Sequence, residues 1–147
     1  LILISAAVAS TAAQAYDEGL AKRYEQFFGA FNEQHTAKAL QLMTPEQLVE
    51  AIKKGDPPVL LDVRTVQEQS MIGLPGNGNL HIPMNEVFRS ENLDKIPTGK
   101  QVVVVCQTGP RAMAIALALR AVGFDKVAVL KGGMVALATY LDPKTAF

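Results

Sequence analysis

Apolar positions along the chain follow different rhythms, and each predicts a different element. Between Tyr16 and Leu42, the residues Leu20, Tyr24, Phe27, Phe28, Phe31 and Leu40 recur mostly at three- and four-residue steps, with Lys22, Arg23, Glu25 and Glu33 among them. That spacing predicts one amphipathic helix or two. Three of the six Phe fall here, marking either an arm packed on the main body or a surface for a partner. Thr44-Pro45-Glu46-Gln47 predicts a helix start, because Thr44 can cap, Pro45 suits the first turn and Gln47 completes a capping box. Gly55 ends that helix. Beyond it the rhythm shortens. Pro58 to Val63, Leu80 to Ile82, Gln101 to Val105 and Lys126 to Leu130 are compact apolar runs that predict buried strands. Helical patterns separate them at 65–71, around Glu86 to Arg89, from Arg111 to Val122 with Gly123 as its stop, and from Met134 to Tyr140. The glycines at 73, 76 and 78 mark an irregular loop. Strands alternating with helices predict an α/β fold: a central, mostly parallel sheet with helices on both faces, plus an N-terminal helical extension.

Residues 1–15 break the pattern, being uncharged and ending in Ala13-Gln14-Ala15. A small-x-small ending after an apolar stretch is what signal peptidases accept, so this segment reads as the remnant of an export signal, too short and too rich in Ala, Ser and Thr for a membrane span. The expected organisation is a signal remnant at 1–15, a helical extension at 16–43 and one domain at 44–147, with a periplasmic or otherwise exported location.

Composition narrows the chemistry. The 147 residues carry 14 Lys+Arg against 14 Asp+Glu, so the balance gives no support to a nucleic-acid surface. One cysteine forbids an internal disulfide, and with only His35 and His81 beside it no zinc spacing appears, so neither a metal nor another cofactor is expected. Gly76-Asn77-Gly78 lacks the third glycine and preceding strand of a dinucleotide site.

The strongest strand runs straight into Cys106-Gln107-Thr108-Gly109-Pro110-Arg111, which runs straight into a helix. Ligands of open α/β sheets bind beyond the carboxyl ends of strands. There, loop amides from Gln107 to Ala112 and the positive end of the helix can converge on an anion. Those dipoles and the Arg111 guanidinium favour a Cys106 thiolate over the thiol. From Lys100 to Phe147, six basic side chains face two acidic ones, a mild bias towards small anionic substrates. Asp62 and Arg64 stand at another strand end and are expected to form a structural ion pair that holds the loops near the site.

These residues resemble the single-domain rhodaneses, a sulfurtransferase family, over about Thr44 to Tyr140. Cys106, Gly109 and Arg111 match the family's Cys-x-x-Gly-x-Arg loop, Asp62-Val63-Arg64 its Asp-x-Arg, and Leu130-Lys131-Gly132-Gly133 its Leu-x-Gly-Gly. Ile72-Gly73-Leu74-Pro75-Gly76-Asn77 departs from the usual Gly-His-Ile-Pro-Gly-Ala, an apparent two-residue insertion precedes His81-Ile82-Pro83, and Leu137 stands near the place of a common Trp. The resemblance implies sulfane-sulfur transfer from a small anionic donor such as thiosulfate to cyanide or a thiol, through a Cys106 persulfide. Gln107, Thr108, Gly109, Arg111 and Ala112 would bind that persulfide. A thioredoxin-like protein could serve as acceptor, and the chain would be a monomer or homodimer without stable membrane insertion. Two alternatives stay open: a binding module of the same fold without turnover, and a phosphatase or arsenate reductase. The latter normally place five residues between cysteine and arginine, whereas four stand here.

Overall fold

The computed structural model describes residues 16–29, 31, 40–74, 76 and 78–143. The expected signal at 1–15 lies outside the described residues. Among these residues five strands form one sheet: β1 (Leu42–Met43), β2 (Val59–Asp62), β3 (Leu80–His81), β4 (Val102–Val105) and β5 (Val127–Leu130). Their spatial order is β1-β5-β4-β2-β3, and every pairing is parallel. The sheet expected to be mostly parallel is therefore wholly so. Among the described residues six helices accompany it: α1 (Glu18–Gly29), α2 (Pro45–Lys53), α3 (Val66–Met71), α4 (Ser90–Leu93), α5 (Pro110–Ala121) and α6 (Gly133–Leu141).

The four consecutive valines of β4 explain why it takes the centre. Side chains alternate across a strand, and both faces of this one are fully buried. Val102 and Val104 pack with Ala112, Ile115, Ala116 and Leu119 of α5, while Val103 and Val105 pack with Leu48 of α2 and Met134 and Leu137 of α6. Helices thus cover both faces, and the buried α5 residues repeat at the three- and four-residue steps of one helix stripe. After β2 the chain moves to β3, whereas after β4 it moves to β5 on the opposite side. The carboxyl ends of β2 and β4 consequently flank the point where the winding direction reverses, which is where such sheets bind ligands.

Thr44 caps α2 with the capping box expected of it. Two expectations need correction. The helical extension is helical at Glu18–Gly29, as α1, and again at Leu40, but its last two residues, Leu42 and Met43, form edge strand β1 against β5. A two-residue strand is too short to show a period of its own. Glu86 to Arg89 forms turns, with the helix beginning one residue later at Ser90. Both edge strands are soon followed by proline, Pro45 after β1 and Pro83 after β3. Helix α1 buries none of its residues; Phe27 and Phe31 meet the body through the Arg120 guanidinium, 5.6 Å from each ring centroid. Among the described residues no helix is long and apolar enough to cross a membrane.

Leu119 lies fully buried beneath β4 and β5. Replacing it with alanine is expected to lower stability by about 3 kcal/mol, the usual cost of a large-to-small change in a packed core. Urea unfolding measures the difference.

Candidate active site

Cys106 follows β4 directly and is 1% exposed. Gly109 occupies the N-cap of α5 with φ of 116°, a backbone shape that favours glycine, and has no side chain with which to cap the helix. The cysteine sulfur takes that place. Its Sγ accepts the amide of Gly109 at 3.1 Å and that of Ala112, in the first turn of α5, at 3.4 Å. Pro110 fills the first helical position, where a missing N–H costs nothing. Sulfur therefore sits at the positive end of the α5 dipole.

The opposite side of the loop is held by α6. The amide of Met134 donates to the Cys106 carbonyl at 2.9 Å and that of Val135 to the Gln107 carbonyl at 3.1 Å. In a trans peptide the N–H points opposite to the C=O, so the amides of Gln107 and Thr108 face away from α6. Gly133, at φ of 60°, permits this approach: a Cβ there would lie against the Cys106 carbonyl oxygen and 2.7 Å from that of Gln107. Gln107 is half-buried and Thr108 exposed.

Asp62 and Arg64 are both buried and joined by several contacts, the shortest being Nη2 to Oδ2 at 2.7 Å. Arg64 also donates to the Ile72 carbonyl at 2.6 Å, which ties the segment after α3 to the end of β2. The Gln69 side chain donates to the Arg64 carbonyl. His81 stands with Nδ1 4.0 Å from Asp62.

Glu68 is a residue that sequence reasoning missed. Arg111 donates to both its carboxylate oxygens, Nη1 at 2.8 Å and Nη2 at 2.6 Å, although 43 positions separate the two. Glu68 also accepts the Thr65 amide while Thr65 caps its own amide. The Thr65-Val66-Gln67-Glu68 pattern was a readable capping-box signal. Hydrogen bonding from Arg111, followed by that from the Thr65 amide, lowers the Glu68 carboxyl from 4.5 to about 2. The same pairing, opposed by partial burial, raises the Arg111 value above its ordinary one. Arg111 is therefore engaged by Glu68, whereas the sequence offered it only the sulfur.

Two measurements follow from this geometry. Gly133→Ala is expected to lower stability by about 3 kcal/mol, from overpacking against the loop carbonyls together with left-handed strain; the urea midpoint records it. Because the folded Glu68 carboxyl titrates at about 2 and its ordinary value is 4.5, the unfolded chain takes up the proton first as pH falls. The pair's contribution is thus complete above pH 4.5 and fades towards pH 2. The stability gap between wild type and Glu68→Gln should close over that range in acid titrations of unfolding.

Comparison with known proteins agrees with the geometry. The family model described as Rhodanese-like domain matches residues 44–139. "Probable adenylyltransferase/sulfurtransferase MoeZ" of Mycobacterium tuberculosis is 31% identical over 121 residues, covering 82% of this chain and 30% of that protein. The chain thus spans less than a third of that curated relative. A rhodanese-like domain protein from Staphylococcus aureus superposes with a TM-score of 0.58 at 29% identity, covering 66% of this chain and 90% of the other. An NAD-dependent persulfide reductase from A. fulgidus superposes with a TM-score of 0.53 at 32% identity, over 70% of this chain and 17% of that one. A parallel sheet of this order, with its cysteine loop at the reversal point and a family match from residue 44 to 139 that takes in four of its five strands, places the chain in the rhodanese-like domain family.

Proposed function

We propose that the protein transfers sulfane sulfur through a persulfide on Cys106. The observation that carries this reading is the Sγ atom held by the Gly109 and Ala112 amides at the start of α5. In the first half-reaction the Cys106 thiolate attacks the outer sulfur of a donor such as thiosulfate. A new S–S bond forms, the donor's S–S bond breaks, and its electron pair leaves with sulfite. The negative charge passes to the outer sulfur of Cys106. In the second half-reaction cyanide or a thiolate attacks that outer sulfur and restores the Cys106 thiolate. Neither step needs a proton relay, because the leaving groups depart as stable anions.

The outer sulfur lies one S–S bond, about 2 Å, beyond Sγ. Gln107 and Thr108 amides, turned away from α6, and the Arg111 amide are proposed to receive it there, alongside the donors already on Sγ. Such preorganised amides act as an oxyanion hole does, stabilising charge where the reaction develops it. Asp62 and Arg64 hold the adjoining loop and take no chemical part. A thiol, free or on a thioredoxin-like protein, is the proposed acceptor.

Intact-mass spectrometry after incubation with thiosulfate tests the reading. Wild type is expected to gain one sulfur atom that cyanide removes, and Cys106→Ser to gain none. No gain from thiosulfate, polysulfide or a low-mass persulfide would sink it.

A further inference from the structure

Arg111 is the cationic side chain of the cysteine loop, and its charge is already answered. Both ends of its guanidinium fork are engaged by the two oxygens of Glu68 at 2.8 and 2.6 Å. That fork is the part of arginine that grips a carboxylate or sulfonate through two parallel hydrogen bonds. Glu68 is itself fixed from the other side by the Thr65 amide at 2.9 Å, so the carboxylate is built into the start of α3 and not a passing surface contact. The pair is only partly exposed, at 35% for Arg111 and 26% for Glu68. The other ion pair of this region, Asp62 with Arg64, is buried and closed on itself. Gln107 and Thr108 bring no charge. A donor approaching Cys106 therefore meets oriented amides and a neutralised arginine.

From this arrangement we infer that Glu68 determines charge selectivity at Cys106, balancing the Arg111 charge and occupying its Nη1/Nη2 fork so that donors bearing a sulfonate or carboxylate lose that end-on bidentate grip beside the sulfur. The inference deepens the persulfide reading and rests on it for its biological meaning. It favours donors of low charge, such as a low-mass persulfide, over the dianion thiosulfate, which remains a slower substrate. Removing the Glu68 charge frees the fork and strengthens the local positive potential, so anionic reagents should gain.

The test compares alkylation of Cys106 by iodoacetate and by iodoacetamide. Both consume the same thiolate, so the ratio of their rates cancels its ionisation and reports the charge felt by the reagent. Glu68→Gln is expected to raise the iodoacetate-to-iodoacetamide ratio about tenfold at low salt, the scale of one charge acting over a few ångströms with the screening of bulk water. At high salt the gain should shrink. Arg111→Ala should lower the ratio by exposing the Glu68 charge, and the double variant should return near wild type, the non-additivity expected of a coupled pair. Thr65→Ala weakens the cap of α3 but should leave the ratio at the wild-type value. If Glu68→Gln leaves the ratio unchanged or lowers it, or if Thr65→Ala reproduces its effect, the inference is overturned. Sulfur uptake from thiosulfate should quicken in Glu68→Gln by a similar factor. Absence of sulfur uptake in wild type would count against the persulfide reading, while the alkylation ratios would still decide the role of Glu68.

Discussion

The site depends on two hydrogen bonds that never touch the sulfur. Met134 and Val135 amides draw the carbonyls of Cys106 and Gln107 towards α6, and planar trans peptides then leave the next amides no direction but away from it. Without that anchoring, loop carbonyls would be free to turn inward, and a carbonyl oxygen beside a thiolate repels where an amide attracts. The first-turn amides of α6, which lack helical partners of their own, are satisfied in the same stroke. This mutual capping leaves no room for a Cβ at Gly133. Cysteine loop and glycine pair, 26 positions apart in the chain, are therefore one structural unit.

Around that unit, charge is arranged in closed accounts. Asp62 and Arg64 neutralise one another out of water, and the additional bond from Arg64 to the Ile72 carbonyl uses a donor that would otherwise be left buried without a partner. Glu68 and Arg111 do the same nearer to solvent. What remains to act on the sulfur is chiefly the dipole of α5 and the amides of the loop, fixed in place before any substrate arrives. Preorganised dipoles of this kind need no rearrangement as charge moves from one sulfur to the next.

Much of this was legible in the order of residues. The valine run of β4, the Ala- and Leu-rich α5 and the loop between them announce themselves through local rules: β-branched residues for a strand, glycine and proline for a sharp entry to a helix. The α/β alternation and the family resemblance follow from the same stretch. Other features were hidden for identifiable reasons. Edge strand β1 has two residues, fewer than any periodic pattern needs, and is a strand only because β5 lies beside it. The turns before α4 contain residues equally suited to a helix. Glu68 and Arg111 meet across 43 positions because α3 follows β2 and α5 follows β4, two strands paired side by side in parallel, a long-range consequence of strand order that no local window contains. Gly132-Gly133 could be matched to a family motif, yet the reason for it appears only when the loop carbonyls are seen against it.

The outline of the sheet carries one more consequence. Both of its borders are two-residue strands, Leu42–Met43 and Leu80–His81, each closed off within three residues by a proline that has no N–H to offer. A sheet grows by adding strands to long, unpaired, flat borders, and that is how many β-rich chains come to stick to their own copies. Here the long apolar strands are all interior, and the borders present too few backbone groups to template another strand. A protein with four consecutive valines at its heart thereby keeps its most aggregation-prone segment enclosed once folded.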